Sequence, residues 1–241
     1  MTRRRWIADQ VNGDHAALVG EHAAHLARVL RAQAGQEFDI AADGVVRRGR
    51  VLSVAEDRVE FELGEEVAAT PAAQVTLALA IFKFDRMEWA IEKCTELGVT
   101  RIVPFAARRT DAHLAAAGAK RVERWRRIAR EASEQARRVA PPEIADPVKV
   151  REVPALPGEQ RIVLSEVESA TTLREACGAG APLREGGVVL AIGPEGGWTN
   201  EELLAFAQAG WKSASLGATI LRAETAAIAA VAVVISQGTK P

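Results

Sequence analysis

The sequence predicts an α/β fold, a mostly parallel sheet covered by helices on both faces, preceded by a small β-rich module. Three observations predict it. From about residue 74 onward, buried-strand runs alternate with helical patterns, which is how parallel strands joined by crossover helices read in sequence. Before residue 70 the chain instead carries short alternating segments with turn residues between them. Two of the later strand runs also empty directly into glycine-bearing loops, where such sheets present a ligand and a bare backbone can approach it closely.

In the first module, residues 37–40, 45–54 and 58–63 read as strands, with Asp43-Gly44 as the turn between the first two. A helix near residues 20–30 interrupts them. So few strands need closure to hide their edges, so a barrel-like arrangement is expected. Residues 65–73, with Pro71 inside, read as a linker. This divides the chain into a domain over residues 1–70 and a second over residues 71–241.

In the second domain, residues 74–82 form a strand. Residues 86–97 form a helix with Met87, Ala90, Ile91, Cys94 and Leu97 on one face. A strand at 101–105 and a long helix over about 119–139 follow, with Ala115-Ala116-Ala117-Gly118 as a loose connection before the helix. Strands at 161–165 and 188–192, a helix at 200–209, a strand at 213–216 and a final helix at 224–237 complete the order. The chain has no internal repeat or low-complexity tract.

Composition excludes several classes. The 241 residues give ample length for a core, and the net charge of −1 makes the whole chain no polycation. Cys94 and Cys177 stand far apart with no C-x-x-C, and the histidines 15, 22, 25 and 113 show no H-x-x-x-H spacing. Neither a disulfide framework nor a metal is implied. Acidic and amide residues interrupt the basic N-terminus before any signal core forms. The longest apolar stretch, 226–235, is short for a membrane span. A cytoplasmic protein that uses neither metal nor membrane is expected.

The first glycine loop is Gly193-Pro194-Glu195-Gly196-Gly197, and the second runs Ser215-Leu216-Gly217-Ala218-Thr219-Ile220-Leu221-Arg222. A phosphate cradle wants free N–H groups and often a Lys, whereas the first loop gives up one N–H to Pro194 and carries the carboxylate of Glu195. A neutral or cationic ligand is therefore preferred over a phosphate-rich nucleotide. The bland alternative is a turn that only leads into a helix whose capping box is Thr199 and Glu202.

Charge is concentrated where the total hides it. Between Arg101 and Arg138 stand eleven bases against four acids. In the long helix Arg121, Arg124, Glu131, Gln135 and Arg138 share one face, while Trp125, Ala129, Ala132 and Ala136 share another. A polyanion such as RNA matches this field. The competing reading is a solvated face laced with ion pairs.

The residues resemble a known family, the bacterial 16S ribosomal RNA uracil-N3 methyltransferases of the SPOUT superfamily. The resemblance lies in KFDRMEWAIEKCTELGV (83–99), EASEQARRVAPP (131–142), IGPEGG (192–197) and SLGATILRAETAAIAA (215–230), with HLARVLR (25–31) in the first domain. These cover both domains in order. Phe84, where a small residue is expected, Trp198 and Ala223 depart from the family pattern.

The resemblance implies a C-terminal SPOUT domain with a trefoil knot whose walls are the two glycine loops, a homodimer packed through the knot, and a PUA-like first domain that helps hold RNA. It implies S-adenosyl-L-methionine as cofactor, held by Ile192, Gly193, Pro194, Glu195, Gly196 and Gly197 of the first loop and by Ser215, Leu216, Gly217, Ile220 and Leu221 of the second. The expected reaction is methylation of N3 of a specific uridine in 16S ribosomal RNA of the small subunit. Uracil N3 must lose a proton, so Arg222 is expected to stabilise charge on the base, and Glu131 or Glu195 to help remove the proton. RNA contacts are expected from Arg3, Arg4, Arg5, Arg28, Arg31, Arg86, Arg124, Arg127, Gln135 and Arg138. A SPOUT ribose 2′-O-methyltransferase and a non-catalytic RNA-binding protein are the competing readings.

Overall fold

The computed structural model describes residues 5–69, 73–178 and 186–238. The chain divides into two compact units, Met1–Pro71 with Ser133–Pro141, and Ala72–Ala132 with Pro142–Pro241.

The first unit contains β1 (Arg5–Ile7), β2 (Gln10–Asn12), β3 (His15–Val19), α1 (Glu21–Ala24), β4 (Glu37–Ala42), β5 (Val45–Val54) and β6 (Arg58–Glu66). The helix expected near 20–30 is α1 followed by a π-turn over His25–Val29. The six strands are ordered β1-β4-β5-β6-β3-β2. Because β1 pairs with β4 at one edge and β2 with β3 at the other, one N-terminal segment covers both edges of the sheet and makes it barrel-like. The three strands before residue 20 escaped the sequence reading because each is only three to five residues long. Leu18, Leu26, Ile40, Val59 and Phe61 form the core. β6 extends through Glu66, shortening the expected linker, and its Pro71 lies outside the described residues.

The second unit begins with β7 (Val75–Ala80), α2 (Phe84–Leu97) and β8 (Arg101–Ala106), then α3 (Ala112–Ala117) and α4 (Val122–Gln135), whose residues from Ser133 onward belong to the first unit. Short β9 (Glu143–Ile144) and β10 (Val148–Lys149) follow, then β11 (Gln160–Leu164), α5 (Leu173–Ala176), β12 (Val188–Ile192), α6 (Asn200–Gln208), β13 (Lys212–Ala214) and α7 (Ala223–Gly238). The sheet order is β10-β8-β7-β12-β11-β13, with β9 beside β8, and every pairing is parallel.

Its central strands are buried on both faces. Leu77, Leu79, Leu190 and Ile192 pack with Met87, Ile91 and Cys94 of α2 and with Ala227, Val231 and Val234 of α7. Ala78, Ala80, Val189 and Ala191 point the other way, toward Phe105, Trp198, Phe206 and Trp211. This period-2 split inside an all-apolar run explains why the sheet needs helices on both sides.

Two expectations are corrected. The segment taken as a loose connection is α3, a run of strong helix formers that Asp111 caps by accepting from His113 N at 2.8 Å. The long helix is shorter than expected, because a 3-10 turn (Gly118–Arg121) precedes it and its end is set at Gln135. There Arg137 adopts φ 56° and Arg138 N donates back to Ser133 O at 2.8 Å, a left-handed C-terminal cap.

Candidate functional site

The carboxyl ends of three neighbouring strands lie level. Leu164 of β11 is in register with Ile192 of β12 and with Ala214 of β13. The loops that leave them, with the start of α2, enclose a cleft of about 570 Å³, within the range of small-molecule sites. Ile192, Gly193, Pro194, Glu195 and Gly197 line it from the first loop, and Ser215, Leu216, Gly217, Ile220, Leu221 and Arg222 from the second. Lys83, Arg86, Ser165, Glu166, Trp198 and Thr219 also line it. Sequence reasoning assigned none of these six to the ligand, although Thr219 lies within the second loop. Ser165 ends a predicted strand and Glu166 follows it without any glycine, so only their position at a strand's carboxyl end signals them.

Gly196 and Glu131 are not in the cleft lining. Gly196 faces Arg109 instead: Arg109 Nη1 donates to its carbonyl at 2.9 Å, and a Cβ there would sit 3.1 Å from Arg109 Cβ. Glu131 is exposed on α4, where its charge acts on Arg124.

The glycines of the first loop answer to protein neighbours. Gly197 N closes a turn onto Pro194 O at 2.9 Å. Gly197 itself has φ 70°, and a Cβ on it would collide with the Glu166 carboxylate. At Gly193 a Cβ would meet the Trp198 ring at 2.9 Å. That indole is buried, stacks on Phe105 at 5.8 Å between centroids, and donates from Nε1 to Leu164 O at 2.7 Å. The Trp198 departure from the family pattern therefore forms the floor of this loop.

The capping box reads as expected. Thr199 N donates to Glu202 Oε2 at 2.8 Å, while Glu202 N donates to Thr199 Oγ1 at 3.2 Å. Glu202 Oε1 further accepts from Arg108 N at 2.9 Å, so the box anchors the loop before β8's successor as well as starting α6.

The second loop is pinned at its start, where Ser215 N donates to Thr171 O at 2.9 Å and Leu173 N to Ser215 O at 2.8 Å. It ends at the first turn of α7, where Ala226 N donates to Arg222 O at 2.8 Å. The Arg222 side chain is exposed and has no ion pair among the described residues. Its setting is thus less apolar than its neighbours in sequence suggest. Glu195, the carboxylate of the first loop, is held instead by Arg86 Nη1 at 2.9 Å. Arg86 Nε also lies 3.7 Å from Glu224 Oε1. Arg86, expected on an RNA surface, is therefore engaged inside the cleft.

The expected RNA-binding residues have varied surroundings. Arg124 Nε donates to Glu88 at 2.8 Å, which raises its pKa, and Arg121 lies over the Phe84 ring at 4.6 Å while also pairing with Glu88. Phe84, another departure and the first residue of α2, thereby packs against the Trp125 side of α4. Arg127 and Gln135 are exposed, and Arg127 has no ion pair among the described residues. Burial lowers the Arg138 pKa to about 10. In the first unit Arg5 donates to Arg137 O, Arg28 pairs with Glu56, and Arg31 is exposed. Arg3 and Arg4 lie outside the described residues.

Among the described residues no group of three or more His, Cys, Asp or Glu could hold a metal ion, and no helix is long and apolar enough to cross a membrane.

A compact cleft with apolar walls (Leu164, Ile192, Leu216, Ile220, Leu221) and both signs of charge at its edges suits a ligand with an aromatic base, a cationic centre and an amino-acid end. S-Adenosyl-L-methionine has these parts, and the residues present fit it.

Comparison with known proteins agrees with this chemistry. The RNA methyltransferase domain family matches residues 69–235. Ribosomal RNA small subunit methyltransferase E of Synechocystis sp. is 36% identical over 215 residues, covering 86% of this chain and 68% of the relative. The Bacillus subtilis protein of the same name is 30% identical over 235 residues, covering 92% and 90%. Among solved structures, ribosomal RNA small subunit methyltransferase E from Neisseria gonorrhoeae bound to S-adenosyl methionine superimposes with a TM-score of 0.82 at 27% identity, covering 96% of each chain. A Legionella pneumophila methyltransferase in complex with the same cofactor gives a TM-score of 0.84 at 28% identity, covering 98% of each chain.

Proposed function

The chain belongs to the RNA methyltransferase family, among the ribosomal RNA small subunit methyltransferases E, and from this premise we propose that it methylates N3 of a specific uridine in 16S ribosomal RNA. The protein is an S-adenosylmethionine-dependent ribosomal RNA methyltransferase. The observation that carries the finer reading is the presence of Arg222, without an ion pair among the described residues, and of Glu195 at the edges of one cleft.

When bound, the cofactor supplies a methyl group on a sulfonium centre. The chain must do the rest. The two loops hold the cofactor largely through backbone groups, with Ile192, Leu216, Ile220 and Leu221 as apolar walls. Ile220 is 84% exposed, as befits a wall that a ligand's ring covers. Uracil N3 carries a proton that must leave as the new N–C bond forms, and of the two carboxylates in the cleft lining, Glu166 and Glu195, the one on the glycine loop, Glu195, accepts it in this reading. Arg222 stabilises the negative charge that then develops on the base. Glu131, outside that lining, does not share this role.

In this reading residues 71–241 form the SPOUT methyltransferase domain with a C-terminal trefoil knot, and residues 1–70 a PUA-like module that helps hold RNA. The active form is a homodimer packed through the knot. Ribosomal RNA or the small subunit is gripped at phosphates by Arg3, Arg4, Arg5, Arg28, Arg31 and Arg127, with Gln135 and Arg138 beside them. The test is transfer of a labelled methyl group to small-subunit particles, followed by nucleoside analysis. 3-Methyluridine is expected. A 2′-O-methylated nucleoside would replace the proposed chemistry, and no incorporation would remove it.

A further inference from the structure

We propose that Arg86 is a positioning residue for the cofactor cleft, a single guanidinium that holds Glu195 of the first loop and Glu224 of the final helix at a fixed separation. The proposal rests on the functional reading above for the identity of the ligand.

Arg86 rises from the first turn of α2 and lines the cleft. One edge of its guanidinium reaches Glu195 Oε1 at 2.9 Å through Nη1, and another, through Nε, stands 3.7 Å from Glu224 Oε1. Glu224 is only 5% exposed, and its Oε2 is shut off from solvent without a hydrogen-bond partner among the described residues. A carboxylate so placed is compensated by two things, the N-terminus of α7, in whose first turn it sits, and the charge on Arg86.

The consequence is mechanical. The loop that carries Glu195 and the helix start that follows Arg222 cannot drift apart without breaking one of the two ion pairs of Arg86. Both groups assigned to the chemistry are thus indexed to one side chain that need not touch the reacting atoms. Arg suits the task better than Lys, because a planar fork can donate to Glu195 from one edge while its other edge carries charge to within 3.7 Å of Glu224, whereas an ammonium is a compact point charge.

The test compares the full-length wild type with Arg86→Lys and Arg86→Met by calorimetry with S-adenosylmethionine, thermal unfolding, steady-state kinetics and RNA binding across a salt series. Arg86→Lys should stay folded, since an ammonium still offsets Glu224. It should nevertheless bind cofactor about tenfold more weakly, because it cannot hold both carboxylates in place. The KM for cofactor should rise while the KM for RNA and the salt slope of RNA binding stay at wild-type values. Arg86→Met should lose cofactor affinity further and unfold at lower temperature. Wild-type cofactor affinity in folded Arg86→Lys would overturn the proposal. So would a reduced salt slope with unchanged cofactor affinity, which would make Arg86 a phosphate contact. Wild-type protein that binds no cofactor would overturn the reading of the cleft itself, and this role with it.

Discussion

The indole N–H of Trp198 donates to the backbone carbonyl of Leu164 at 2.7 Å, tying the loop after β12 to the last residue of β11. The two residues are far apart in sequence, and both line the cleft. Trp198→Phe keeps an aromatic ring against Phe105 but leaves a buried carbonyl unpaired. The expected cost is about 1–3 kcal/mol. Urea unfolding should show a lower midpoint at unchanged slope, and an unchanged midpoint would show that the carbonyl is satisfied without the indole.

Gly197 and Gly196 are adjacent yet should respond differently to the same change. Alanine at 197 must adopt φ 70° and push its methyl into the Glu166 carboxylate, with a left-handed backbone alone costing about 1–2 kcal/mol. Alanine at 196 meets only the Arg109 side chain and carbonyl, at 3.1 Å and beyond. Gly197→Ala should therefore lose most cofactor affinity by calorimetry, while Gly196→Ala stays within a fewfold of wild type. Equal losses would place Gly196 at the ligand after all.

The split between legible and illegible features follows their range in sequence. The Thr199 and Glu202 box could be read because its partners are three residues apart. The burial of β12 could be read from five consecutive apolar residues. Arg86 pairs with a carboxylate 109 residues away, and nothing local marks an arginine as turned inward rather than toward RNA. Glu166 went unseen for a related reason, since a non-glycine loop joins the cleft only through the level register of β11 and β12. Even α3 was missed, because its six residues span too few turns to show an apolar period, although its alanines and the Asp111 cap both favour a helix.

The basic face of α4 is unevenly available. Arg124 is paired with Glu88 at 2.8 Å, whereas Arg127 is exposed and has no ion pair among the described residues. Arg127→Gln should reduce the magnitude of the salt slope of RNA binding by about one and weaken binding across sequences. Arg124→Gln should change that slope less, because a nearby carboxylate already offsets its charge. Filter binding at several salt concentrations distinguishes them, and identical slopes for the two variants would refute the assignment.

Burial pushes the Cys94 thiol from its ordinary 9.0 up to about 12. The folded state thus keeps a proton that the unfolded chain gives up more readily. The resulting contribution to stability is fully present below pH 9.0 and is lost as pH rises toward about 12. Cys94→Ala should flatten that alkaline decline in chemical-denaturation experiments. In the native wild type at neutral pH the buried thiol should resist a disulfide reagent until the chain unfolds. Rapid labelling of Cys94 in the folded protein would show that the α2 face opens on that timescale.

Arg222 offers the sharpest test of the chemistry. It lines the cleft, its backbone carbonyl accepts from Ala226 N at 2.8 Å at the start of α7, and its exposed side chain has no ion pair among the described residues. Glu195, a carboxylate of the same cleft with which a purely structural Arg222 could pair, is already engaged by Arg86. Truncating Arg222 therefore leaves no buried charge stranded, and its loss should register in the transition state rather than in the fold. Arg222→Ala should lower the single-turnover rate of methyl transfer by roughly ten- to a thousandfold, as for removal of a preorganised charge-stabilising donor. Cofactor affinity and thermal stability should remain close to wild type. A wild-type rate would exclude the catalytic role. Loss of cofactor binding at an unchanged melting temperature would reassign Arg222 to the methionine end of the cofactor.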